Sequence, residues 1–113
     1  MIRGEIWWAD LSDPIKSEPG YKRPVVIIQA DTFNLSKINT IIVAVITSNI
    51  KLVEAPGNIL LTSKSTGLSK DSVLNISQII TIDKSILIEK IGDLSNKQLS
   101  KLNDSLKIVF DIK

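Results

Sequence analysis

Apolar residues in this chain fall into short blocks, and two of these blocks show no polar alternation. Val25-Val26-Ile27-Ile28 is β-branched throughout, and Thr40-Ile41-Ile42-Val43-Ala44-Val45-Ile46 is nearly so. Such runs predict strands buried on both faces. Gly4 to Leu11 predicts a first strand, with Ile6, Trp8 and Asp10 on one face and Glu5, Trp7 and Ala9 on the other. Trp7 and Trp8 then point opposite ways, so only one is expected fully in the core. Further strands are expected at Ile59 to Thr62, at Ser72 to Asn75 continuing through Ile76 to Ile82 with an irregularity near Ser77, and at Leu87 to Ile91, stopped by Gly92. Asp31 to Lys37 has room for one helical turn capped by Asp31. Pro56-Gly57-Asn58 and Asp83-Lys84-Ser85 read as turns, and Ser63 to Asp71 as a loop.

Ser95 to about Asp111 carries the strong helical period. Ser95 with Gln98 fits a capping box, and Leu94 with Leu99 fits a hydrophobic staple. Leu99, Leu102, Leu106, Val109 and Phe110 form one apolar stripe for packing on the sheet. Short strands followed by one terminal helix predict a mainly β fold with a C-terminal α-helix, an SH3-like small barrel spanning residues 1–113 as a single domain. So many apolar strands under one helix also predict burial of part of the surface in an oligomer.

Composition narrows the chemistry. The chain has no cysteine and no histidine. That excludes disulfides, thiolate nucleophiles and zinc–thiolate sites, and removes the usual general base near neutral pH. No carboxylate cluster has metal-ligand spacing, so neither a metal nor a cofactor is expected. The net charge of +2 says little about partners, and local clustering must carry that argument. The start lacks the apolar run of a signal peptide, and the longest apolar stretch, Ile41 to Ile46, is too short to span a bilayer. A soluble cytoplasmic protein is expected, with no membrane partner.

The stretch from Gly20 to Gln29 is where chemistry and fold meet. A glycine-led cationic loop, Gly20-Tyr21-Lys22-Arg23, runs into Pro24 and the buried strand. Pro24 stiffens the junction and holds Arg23 extended, so its planar fork can be offered to phosphate or carboxylate. The long connection before it, Ser12 to Lys22, holds Lys16, Ser17, Glu18 and Tyr21 without periodicity, either a solvated loop or a small RNA-contact surface. Thr47-Ser48-Asn49 places three small hydrogen-bonding side chains at the exit of the second apolar strand. They serve either a turn or a substrate.

Taken in order, these segments resemble the MazF/PemK family of bacterial toxins over nearly the whole length. The anchors are Arg3-Gly4-Glu5-Ile6-Trp7, the Gly20–Gln29 stretch, Ala44-Val45-Ile46-Thr47-Ser48, Asp71-Ser72-Val73, and Gln78-Ile79-Ile80-Thr81-Ile82-Asp83-Lys84. The resemblance implies the MazF/PemK/CcdB-like barrel and a homodimer that cleaves single-stranded RNA at a short sequence without metal. It also implies a cognate antitoxin whose disordered C-terminal tail blocks the RNA groove. The family's catalytic arginine falls on Arg23 and its threonine on Thr47. RNA-binding positions are expected at Ser17, Glu18, Tyr21, Lys22, Ser48, Asn49, Ser77 and Gln78. Ser17 stands where some relatives have histidine, Ser77 where some have an acid, and Ile80 where many have arginine.

With no histidine, Arg23 suits neutralisation of charge on phosphorus, Thr47 suits donation to a phosphate oxygen, and Glu18 is the carboxylate nearest in sequence to serve as base. The rival class is a non-enzymatic toxin of the same barrel that inhibits a protein such as DNA gyrase. The Arg23/Thr47 pair and the lack of a docking tail after Phe110 favour the ribonuclease. A third reading is a barrel that binds RNA or protein without cleaving anything.

Overall fold

The structure, a computed structural model, describes residues 1–12 and 21–113. Its frame is one six-stranded antiparallel sheet. In chain order the strands are β1 (Glu5–Asp10), β2 (Lys22–Ile27), β3 (Thr40–Thr47), β4 (Ile59–Leu61), β5 (Ser72–Asp83) and β6 (Leu87–Asp93), arranged β4-β5-β3-β2-β1-β6. Short helices α1 (Asp31–Asn34) and α2 (Ser63–Thr66) interrupt the strands, and α3 (Asn96–Val109) ends the chain. The unalternated apolar runs are explained by a core on each face. Ile6, Val26, Ile28, Ala44, Ile46, Leu74 and Ile76 form one core with Leu94 and Leu102 beneath α3. Ala9, Val25, Ile27, Ile41, Val43, Val45 and Leu87 form the other. Burying a side chain such as Leu102, which is fully enclosed, contributes about 1.5–3 kcal/mol.

The sheet is curled, and the α2 segment that follows edge strand β4 meets the other edge strand, β6, backbone to backbone. Gly92 lies in β6, and a methyl group there would fall on the carbonyl oxygen of Thr66. Gly67 ends α2 in the left-handed conformation (φ 84°), and a Cβ at that position would come 2.8 Å from the carbonyl oxygen of Ile91. The segment after β4 thereby packs directly on β6, a contact that only glycine permits. The Gly92 position was expected to stop the last strand. Instead β6 runs through it to Asp93.

α3 starts as predicted. The Gln98 N–H donates to Ser95 Oγ (3.1 Å), and the Ser95 N–H donates to Gln98 Oε1 (2.8 Å). Its apolar stripe is buried only in part: Leu99, Leu102 and Leu106 pack on the first core, whereas Val109 and Phe110 are 37% and 57% exposed. The predicted cap at Asp31 is also corrected. Ala30 holds the cap position, and the Asp31 carboxylate accepts from the Arg3 N–H (2.7 Å) and Asn34 Nδ2 (3.1 Å). Arg3 also donates through Nε to the Ile28 carbonyl (2.9 Å) and through its guanidinium to Asn103 Oδ1 (2.8 Å), tying β2 to α3. A 3-10 turn at Ile50–Glu54 and the helix α2 occupy segments that carry no helical period.

Both tryptophans are half-buried, so neither lies fully in the core. Trp7 packs against the second core, and its indole N–H donates to Glu5 Oε1 (3.0 Å). Burial opposes ionisation of Glu5. The Ile2 and Trp7 hydrogen bonds, with Lys90 at 3.0 Å, outweigh it and hold the carboxyl below its ordinary value.

Gly92→Ala is expected to force the α2 segment off β6 and lower stability by about 1–3 kcal/mol, the usual cost of overpacking. A thermal melt reads this directly. An unchanged melting temperature would show that the two sheet ends do not bear on each other.

Candidate active site

Arg23 stands near the start of β2 and Thr47 at the end of its antiparallel neighbour β3. β2 and β3 pair Val25 with Val45, Val26 with Ala44 and Ile27 with Val43. Arg23 and Thr47 each lie two residues beyond the last pair of this ladder, at the end of the sheet where β1 finishes and β5 begins. Pro24 belongs to β2, opposite Trp8 of β1, and lies beyond the residues that pair with β3.

A cleft of about 170 Å³ opens at this end of the sheet. It takes in the consecutive residues Lys22, Arg23 and Pro24, together with Trp8, Ile46 and Ser48. The far wall is the segment Leu68, Ser69 and Lys70, with Ser72 at the start of β5. Three of the described lining residues are cationic and none is acidic. Such a surface suits a polyanion, because cations focused at one mouth reinforce one another's attraction for phosphate. Among the described residues no group of three or more potential metal ligands is gathered. None of the described helices is long and apolar enough to cross a membrane.

The predicted site residues divide. Arg23, Lys22 and Ser48 line the cleft, and Thr47 sits between its lining neighbours Ile46 and Ser48. The Thr47 Oγ1 accepts from the Asn49 N–H (3.2 Å), and Asn49 Oδ1 accepts from the Lys51 N–H (3.2 Å), capping the 3-10 turn. Asn49 is thus committed to the turn, outside the lining. Tyr21 is 62% exposed and closes the base of the long connection instead: its carbonyl accepts from the Leu11 N–H (2.8 Å), and its N–H donates to the Ser12 carbonyl (2.6 Å). Its φ of 58° is an unusual conformation for a bulky side chain. Ser17 and Glu18 lie outside the described residues.

Ser77 and Gln78 sit on a bulge of β5, away from the cleft lining. Val45 pairs with Asn75 and Ala44 with Ile79, so three residues of β5 bow out between them. Asn58 pins this bulge: Oδ1 accepts from the Ile76 N–H (3.0 Å), while Nδ2 donates to the Leu52 carbonyl (2.8 Å) and to Asn75 Oδ1 (3.3 Å). Sequence reasoning missed Trp8, Lys70 and Ser72 as cleft residues. Trp8 stood out as one of two adjacent tryptophans, but Lys70 carries no local signal. It reaches the site only because the glycine seam folds its segment over the strand ends.

A curled six-stranded sheet with a terminal helix and a cationic cleft at one end defines a small toxin-type barrel. The chain matches, over residues 2–110, the family described as PemK-like, MazF-like toxin of type II toxin-antitoxin system, and it belongs to that family. Endoribonuclease MazF6 of Mycobacterium tuberculosis is 41% identical over 112 residues, covering 99% of this chain and 98% of that protein. Endoribonuclease EndoA of Bacillus subtilis is 40% identical over 106 residues, 94% of this chain and 90% of that protein. A solved mycobacterial endoribonuclease in complex with its cognate antitoxin shares the fold, with a TM-score of 0.81 at 18% identity over 100% of this chain and 97% of that one.

Proposed function

We propose that this chain is a sequence-specific endoribonuclease toxin that cleaves single-stranded RNA through the substrate's own 2′-hydroxyl, without metal. The observation that carries this reading is a cleft with three cations, Arg23 among them, at the sheet end where β3 finishes with Thr47. It is joined by near-full-length identity of about two residues in five to named endoribonucleases. In the reaction the 2′-oxygen attacks phosphorus, the 5′-oxygen leaves, and the products are a 2′,3′-cyclic phosphate and a 5′-hydroxyl. Arg23 grips two phosphate oxygens and balances the charge gathering on them. Thr47 donates to a phosphate oxygen or orients the 2′-hydroxyl. Lys22 and Lys70 hold flanking phosphates, which position the chain but carry no sequence information. The workplace is the cytoplasm, where messages are found.

Incubation with a long RNA in EDTA, followed by mapping of the new ends, tests the reading. Cleavage at a short motif is expected, and none at a site whose 2′-hydroxyl is replaced by hydrogen. Arg23→Lys keeps the charge but loses the planar fork, so most activity should disappear. Thr47→Ala should cost about 2.7–4 kcal/mol of transition-state stabilisation if its hydroxyl acts as an oxyanion-type donor. Both variants should melt like the parent. Full activity in both would place the chemistry elsewhere.

The working form is a homodimer, held in check by a cognate antitoxin whose disordered C-terminal tail fills the RNA groove. What supports the dimer is the bare end of α3. Leu106, Phe110 and Ile112 meet Ile28, Ile42 and Ile79 around an apolar groove of 380 Å³. Ile108, Phe110 and Ile112 remain 61%, 57% and 59% exposed, an uneconomical surface for a monomer in water. Sedimentation at micromolar concentration should give twice the chain mass, and Phe110→Asp should give the single chain. A monomeric parent protein would contradict this.

A further inference from the structure

A second concavity, of 420 Å³, adjoins the cationic cleft and is lined by Trp8, Lys22, Ile88 and Glu89. Trp8 and Lys22 line both. The strand ladders explain the grouping. Trp8 pairs with Pro24 on one side and with Glu89 on the other, and a bulge in β6 beside that second pair puts Ile88 next to Glu89 in the lining. Directly opposed residues of antiparallel strands hold their Cβ atoms about 4.5–5.5 Å apart. The Glu89 carboxylate therefore stands within reach of the edge of any flat group lying on the indole. Among the described residues Glu89 enters no ion pair, whereas its neighbour Lys90 bridges Glu5 (3.0 Å) and Asp93 (3.2 Å).

The two concavities differ in chemistry. The first is cationic and suits phosphate. The second offers an aromatic face, the half-exposed Ile88 and one carboxylate acceptor, with Lys22 at the side it shares with the first. It suits a flat, uncharged ring with hydrogen-bond donors on its edge, and a nucleobase has that form.

Resting on the ribonuclease reading, we infer that this second concavity is a base pocket: Trp8 stacks the base of a nucleotide next to the cut, and Glu89 accepts from its exocyclic amine. Lys22, shared by both concavities, meets the phosphate between that nucleotide and the scissile one. Adenine, cytosine and guanine each present an amine donor. Uracil presents carbonyl oxygens on either side of its single N–H, and these oppose a carboxylate. The pocket therefore selects against uracil at one position beside the cut.

The experiment compares wild type, Trp8→Ala, Trp8→Phe and Glu89→Ala on RNAs varied one nucleotide at a time around the mapped cleavage site. Wild type should disfavour uracil at one adjacent position by about tenfold or more, and Glu89→Ala should abolish that preference. Trp8→Ala should raise KM about 10- to 100-fold with kcat largely kept, and Trp8→Phe should restore most of the loss. A readout independent of any change at Trp8 is its fluorescence in a Trp7→Phe background, which should be quenched by an uncleavable 2′-deoxy-substituted RNA. If wild type cuts RNA while the Glu89 and Trp8 variants keep its base preference and KM, or the Trp8 emission does not respond, the base pocket is overturned. If wild type neither binds nor cuts RNA, the ribonuclease reading falls, and the base pocket with it.

Discussion

The contact on which this architecture turns is the glycine seam between the α2 segment and β6. A six-stranded sheet curls only if its ends can be brought together, and here they meet with no side chain between them at Gly67 and Gly92. The consequence reaches beyond closure. Leu68, immediately after the seam, enters the first core, and Ser69 and Lys70 are carried over the ends of β2 and β3. The wall of the cleft is thus a by-product of closing the sheet, and a residue remote in sequence from Arg23 becomes its neighbour.

Lys22, Arg23 and Lys70 gather at one mouth, and none of the described lining residues is acidic. Elsewhere the charges are arranged to cancel: Lys90 sits between Glu5 and Asp93, and Glu5 accepts from both Ile2 and Trp7. A chain without histidine has few ways to move protons near neutral pH, so positioning and charge stabilisation must carry most of the catalysis. Rigid placement then matters more than a tuned pKa. Both Arg23 and Thr47 lie in strands that lead directly into fully buried residues.

Much of this was legible in the chain itself. The unbroken β-branched runs announced strands buried on both faces, and two cores on one sheet are the reason. The capping box at Ser95 and the irregularity near Ser77 were local signals with local causes. The positions of Arg23 and Thr47 at strand ends were readable too: Arg23 is the second residue of β2 and Thr47 the last of β3. What escaped was set by tertiary closure. Gly92 looks like a strand stop until α2 is seen to need its missing side chain. Asp31 has the chemistry of a cap, but the Arg3 N–H claims it. The stripe on α3 continues to Phe110, yet Val109 and Phe110 stay exposed, with an open groove between Phe110 and the sheet residues Ile42 and Ile79. Ser77 and Gln78 were grouped with Arg23 by resemblance alone, and the structure puts both on the β5 bulge that Asn58 holds.

The central claim is that the strand-end cleft holds the phosphate at which RNA is cut. A crystal structure with a single-stranded RNA made uncleavable by one 2′-deoxy substitution at the mapped site tests it most directly. The account predicts the scissile phosphate gripped at two oxygens by the Arg23 guanidinium, within hydrogen-bond reach of the Thr47 hydroxyl, with neighbouring phosphates at Lys22 and Lys70. RNA bound elsewhere on the protein with this cleft empty would contradict it.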